Sequence, residues 1–221
     1  NNLQDYLEGL QKAVKTPYKP FSRLGLNAAD GQPTQINDHV LQIENEYYSL
    51  VRPKQVPQEG ETPSQALENR GIAYVELRAV DVNPYSPIGI NEDTAGFLEV
   101  VALYCLLQDS PALFGEEQEI IEQNQTEVVN RGRAPNAAIL ADGQCYPIED
   151  WCAMHLQRMQ PLAELLNQTY ATDLYSNAMK MMQIRVDEVD ATLSALVVGD
   201  TRTQGSMWHF GQHLAQQHSS V

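Results

Sequence analysis

Basic residues are scarce in this sequence: 14 Lys and Arg stand against 29 Asp and Glu, a formal net charge of −15. That balance disfavours a general nucleic-acid partner and an anionic membrane surface, both of which are gripped by Lys and Arg. Cysteine is scarcer still. Cys105, Cys145 and Cys152 make an odd number with no Cys-x-x-Cys spacing. This argues against a disulfide framework and for a reducing cytoplasm, leaving open only a short-range Cys145–Cys152 pair. No run of about 18 apolar residues is present to cross a membrane. The N-terminus opens on an amphipathic helix pattern and not on a signal peptide. A Gly-rich phosphate loop and a Gly-x-Ser-x-Gly elbow are both missing, so P-loop ATPase and serine-hydrolase readings lose ground. There is no internal repeat and no low-complexity tract.

What is present divides into two parts of different character, residues 1–90 and 91–221, expected to form one continuous domain. In residues 3–15 the residues Leu3, Tyr6, Leu7, Leu10 and Val14 fall on one helical face. Residues 27–34 are a turn-rich link. Strand patterns follow at about 38–52 and 71–82, separated by a loop with a short helix that Thr62 or Ser64 can cap. From residue 91 the pattern turns helical. Asn91 or Asp93 caps one helix, Pro111 starts another, and Arg131-Gly-Arg-Ala-Pro135 breaks it. Further helices are expected at about 148–171, 174–184, 187–197 and 206–218. The fold class is therefore α+β, an antiparallel β portion followed by a helical layer.

Along 71–82 the period of two puts Tyr74, Glu76 and Arg78 on one face, and Ala73, Val75, Leu77 and Ala79 on the other. Glu76 and Arg78 then stand side by side, roughly 7 Å apart. A carboxylate offers oxygen to a hard cation, and a guanidinium offers a planar fork to phosphate. On spacing alone an ordinary ion pair on a solvated sheet is the commoner meaning. The same alternation over 38–52 would gather Gln42, Glu44, Glu46, Tyr48 and Arg52 on a polar face with Val40 and Leu50, and Leu41, Ile43, Tyr47 and Val51 on a mostly apolar one with Asn45 and Ser49. A half-exposed antiparallel sheet explains that pattern equally well.

Two long ordered motifs change the balance: QINDHVLQIENEYYSLVRPK (35–54) and YVELRAVDVNPYSPIG (74–89). With NLQDYLEGLQKAVKTP and GETPSQALENRGIAYVELR in the same order, the chain resembles the proteobacterial glutamate–cysteine ligase family, specifically over about residues 2–110. The resemblance implies an ATP-dependent enzyme of the first step of glutathione synthesis. Such an enzyme phosphorylates the γ-carboxylate of L-glutamate and joins it to the amine of L-cysteine, with Mg²⁺ and ATP in a glutamine-synthetase-like β-cradle. On that resemblance Glu76 falls on a metal-binding glutamate. Arg78 falls on an arginine that stabilises the transferred phosphoryl group and touches the nucleotide. Tyr48 matches a tyrosine of the cysteine pocket, and Asn45 and Arg52 match motif residues beside the substrates. Pro84, Pro87 and Gly89 are assigned to shaping the turn after the strand.

The family's enzymes are about twice as long, so the chain is read as a C-terminal portion whose N-terminal half supplies the other metal carboxylates. One glutamate cannot hold a Mg²⁺ cluster, so the chain alone is expected to be inactive. Two other readings stay open: a non-catalytic α+β binding module, and another ATP-dependent carboxylate–amine ligase. The remaining signals are bland. His209 and His213 have an i,i+4 metal spacing but no HExxH frame, and are read as a polar helix face. Met179, Met181 and Met182 are read as core. The acidic residues at 116–119 are read as a solvated helix start.

Overall fold

The structure is a computed structural model that describes residues 2–219. The chain forms two compact units, one running to Asp81 and the other starting at Val82. Each has its own buried residues.

The first unit contains α1 (Leu3–Ala13), α2 (Lys19–Leu24), β1 (Val51–Lys54), α3 (Pro63–Arg70) and β2 (Tyr74–Leu77). Asn2 caps α1 by accepting from the Asp5 N–H at 2.9 Å. The stripe that buries Leu7 and Leu10 packs α1 against α3, where Ala66 and Leu67 are buried. α3 starts on a capping box in which Thr62 and Gln65 satisfy each other's backbone N–H groups. β1 and β2 are antiparallel, with Arg52 opposite Glu76 and Lys54 opposite Tyr74.

The long strand expected at 38–52 is not there. Only Val51 and Arg52 of that span enter β1; Glu44–Glu46 form a 3-10 turn and the rest is loop. The reason is local. The His39 N–H donates to Asn37 Oδ1 at 2.9 Å, the Ile36 N–H to Gln42 Oε1 at 2.8 Å, and the Gln42 N–H to Glu46 Oε2 at 2.6 Å. Polar side chains thus take the backbone donors that a ladder would have used. The loop is strapped to the end of α1 through Leu41 N–H to Ala13 O and Val40 N–H to Thr16 O.

The second unit contains α4 (Glu92–Leu107), α5 (Gly115–Arg131), β3 (Ala138–Ala141), β4 (Gln144–Pro147), α6 (Ile148–Tyr170), α7 (Leu174–Asp187), α8 (Leu193–Thr203) and α9 (Met207–His218). Asn91 caps α4, accepting from Thr94 N–H at 3.1 Å. α5 begins at Gly115, later than Pro111 suggests, because Glu117 reaches back to the Phe114 N–H at 3.1 Å and fixes the start there. α6 and α7 pack along each other with α4 against both, around Val100, Leu156, Met159, Ala163, Leu166, Tyr175 and Met179. Met179 is core as expected, with Met182 packed at its edge.

The sequence reading missed the β3–β4 hairpin and α2. The hairpin turns on Asp142 (φ 50°) and Gly143 (φ 71°), two consecutive positive-φ residues. Asp-Gly is the pair that such a two-residue hairpin turn favours. Fold class is nevertheless α+β, as the patterning predicts. The turn at Asn83–Gly89 uses Gly89 at φ 78° and closes through Asn83 N–H to Gly89 O at 2.7 Å. Tyr85 then anchors α8 through Asp200 at 2.6 Å and packs edge-on against Phe210 of α9.

Candidate active site

The antiparallel register decides what the β1–β2 hairpin presents. Arg52 faces Glu76 across the ladder, and Lys54 and Tyr74 are the next pair, so all four lie on one face. Arg78 continues that face beyond β2, its N–H bonded to Leu50 O at 2.8 Å. Val51, Pro53, Val75 and Leu77 take the opposite face.

Two cations approach one carboxylate. Glu76 Oε2 lies 3.5 Å from Lys54 Nζ and 3.9 Å from Arg78 Nε. Neither approach is a hydrogen bond, and Oε2 is a buried atom without a hydrogen-bond partner. Across the ladder Arg52 is only 8% exposed, and its Nε is likewise buried and unpartnered. Buried polar atoms are normally satisfied, so two orphans on facing residues mark a place where polar capacity is held in reserve.

Aromatic rings set where the guanidinium groups lie. Arg78 Cζ sits 5.3 Å from the centroid of the Tyr48 ring, and Arg52 Cζ sits 5.7 Å from that of Tyr47. Tyr47 in turn meets Tyr6 of α1 edge to face at 6.0 Å. Ring faces attract cations through their quadrupole, so each arginine is held without using up its N–H donors. Beside this face lies a cavity of about 110 Å³, lined among others by Tyr6, Asn45, Arg52, Lys54 and Tyr74. Glu44 lines it too, but is occupied. Its carboxylate accepts from Ser64 N–H at 3.0 Å and Ser64 Oγ at 2.6 Å, at the positive start of α3.

The structure brings Glu76, Arg78 and Tyr48 together, and sets Arg52 and Asn45 at the neighbouring cavity. Lys54 joins the two groups and was missed in the sequence. Its signal was the Arg52-Pro-Lys54 alternation, hidden by the assumption that the strand ended at 52. Tyr47 was assigned to an apolar face; in a loop it turns to Arg52 instead. Chemically, the face offers forked and point-charge donors for anionic oxygens, with one carboxylate among them.

Among the described residues no three His, Cys, Asp or Glu side chains come together as a metal site, and the three cysteines are free. His209 and His213 accordingly form no such cluster. Glu76 with two cations beside it does not by itself make a cage for a divalent ion, which needs several oxygens. No helix among the described residues is long and apolar enough to cross a membrane.

Comparison with known proteins bears on the same segment. A family profile described as glutamate-cysteine ligase matches residues 1–128. The glutamate–cysteine ligase of Azotobacter vinelandii is 42% identical over 205 residues, covering 93% of this chain and 38% of the relative. That of Pseudomonas fluorescens is 40% identical over 220 residues, covering 99% of this chain and 41% of the relative. A crystal structure of a glutamate–cysteine ligase from Francisella tularensis in complex with AMP matches with a TM-score of 0.87 at 32% identity. It covers 100% of this chain and 44% of that one. The chain thus spans well under half the length of the relatives it matches.

Proposed function

The chain belongs to the glutamate–cysteine ligase family, and on that footing we propose that it carries part of the active site of an ATP-dependent ligase joining L-glutamate to L-cysteine. The observation that supports this most is the approach of Lys54 and Arg78 to Glu76, with Arg52 opposite it in the ladder, on one face of a hairpin, in a chain with twice as many acids as bases. Positive charge is concentrated where phosphate oxygens would have to be neutralised. The AMP bound to the Francisella ligase is in keeping with a nucleotide at this fold.

In the proposed reaction a γ-carboxylate oxygen of glutamate attacks the γ-phosphorus of ATP, and the bond to the β-phosphate oxygen breaks to release ADP. The cysteine amine then attacks the acyl carbon; phosphate leaves, and the amine gives up a proton as the amide forms. Phosphoryl transfer is catalysed largely by positioning and by charge neutralisation. Arg78 supplies a fork to the transferred group, and Lys54 and Arg52 add donors along the same face. Tyr48 packs on Arg78 and offers an apolar wall to the cysteine substrate, with Asn45 and Arg52 beside the substrates at the cavity. Mg²⁺ would accompany ATP; Glu76 would offer it one oxygen, the remaining ligands coming from outside this chain, in the N-terminal half of the same enzyme. Three unpaired thiols suit a cytoplasmic location.

The test is ADP release by this chain combined with the remaining portion of the ligase, omitting each substrate in turn. ADP is expected only with glutamate, cysteine and Mg-ATP together at full rate, and none from this chain alone. ADP formation that ignores glutamate would overturn the assignment.

A further inference from the structure

The second unit holds a cavity of about 410 Å³ between the 132–135 loop, the start of α6 and the end of α7. None of the residues of the Glu76 cluster lines it. Two guanidinium groups do, those of Arg133 and Arg185. Among the described residues neither takes part in an ion pair, in a chain where acids outnumber bases two to one. Arg185 is the more telling. Its Nε is buried with no hydrogen-bond partner, and its Nη1 donates only to the Met182 sulfur at 3.7 Å. A thioether is a weak acceptor. A half-buried guanidinium whose Nε is buried and unsatisfied is costly unless an anion completes it.

The surroundings say which anion. α6 is a 23-residue helix that starts at this cavity, and its N-cap, Pro147, gives no side-chain cap. Its positive end adds to the pull on a negative group. Ile148 and Val186 provide apolar wall, whereas Glu149 and Asp187 place two carboxylates in the lining. Those carboxylates repel a polyanion, and the apolar wall rewards a hydrocarbon body.

We propose that this cavity binds a small monocarboxylate with an apolar body, its carboxylate held by the Arg185 guanidinium with Arg133 at its side. The volume is of the size that small-molecule sites occupy. A bidentate guanidinium–carboxylate contact supplies both affinity and orientation.

The probe is benzoate, titrated into the chain while the methyl NMR signals of Ile148 and Val186 are followed, with alkylation of Cys152, which lines the same cavity, as a second readout. Saturable shifts at both residues and slower alkylation of Cys152 are expected. Uncharged benzamide and pyrophosphate should bind at least about tenfold more weakly. Arg185→Gln should cost at least about tenfold in affinity, since hydrogen bonds to charged groups are the strong ones. Arg133→Gln, at an exposed position that leaves folding intact, should cost severalfold. Absence of shifts, equal binding of benzamide, tighter binding of pyrophosphate, or unchanged affinity in both arginine variants would each overturn the proposal.

Discussion

Glu76 and Arg52 face each other across β1 and β2, and each keeps a buried polar atom without a hydrogen bond. Arg78 is held by the Tyr48 ring, as Arg52 is by Tyr47, which leaves its fork open. Arg78→Lys keeps the charge but loses the planar fork and much of the stacking. In the assembled ligase it should therefore lower the rate of ADP formation by about 10²-fold while leaving the melting temperature of the chain nearly unchanged. Glu61 gives a pH prediction. Hydrogen bonds from Arg70, the Gln58 backbone and Asn69 pull its carboxyl down from 4.5 to about 2. A carboxyl depressed in the folded state stabilises above its unfolded pKa, and the benefit fades as pH falls. Melting temperature should thus drop more steeply between about pH 4.5 and about pH 2 in the wild type than in Glu61→Gln. At this scale period-two reading placed Glu76 and Arg78 on one face, because Glu76 lies in a true strand and Arg78 directly follows its end. It lost Lys54 and misplaced Tyr47, because local side-chain hydrogen bonds had replaced the strand from which their faces were counted.

Elements show where close packing and backbone geometry leave room for single changes. Gly96 on α4 is buried, and an added Cβ would lie 3.2 Å from Leu174 Cγ and 3.6 Å from the Ala178 Cβ of α7. Gly96→Ala would gain about 1 kcal/mol in helix propensity, offset by that crowding. Gly96→Val should destabilise by about 1–3 kcal/mol through overpacking, read as a lower urea midpoint with unchanged slope. Ala171, at the end of α6, has φ 52° and ψ 50°. A side chain there costs about 1–2 kcal/mol, whereas glycine adopts that conformation freely. Ala171→Gly should therefore be neutral to stabilising by up to about 1 kcal/mol, and a drop in urea midpoint would contradict this. Helix caps such as Asn91 and Thr62 were legible because capping is a local rule. The β3–β4 hairpin carried an equally local signal in Asp142-Gly143, overlooked in a half otherwise dominated by helical periodicity.

Over the whole chain, two long motifs and their order sufficed to indicate the family, since they lie in the segment that builds the hairpin and its cavity. The cavity beside Arg185 was illegible for the opposite reason. Arg133, Glu149 and Arg185 are far apart in sequence, and only the packing of α6 and α7 brings their neighbourhoods together. Glu76, set among Arg52, Lys54 and Arg78, is proposed to serve phosphoryl transfer and not merely an ion pair. The most direct test is ADP release by the assembled ligase with Glu76→Gln, beside Glu127→Gln as a surface ion-pair control. A loss of at least about 10²-fold is expected for Glu76→Gln and none for the control. A Glu76→Gln enzyme that releases ADP at the wild-type rate would contradict that role.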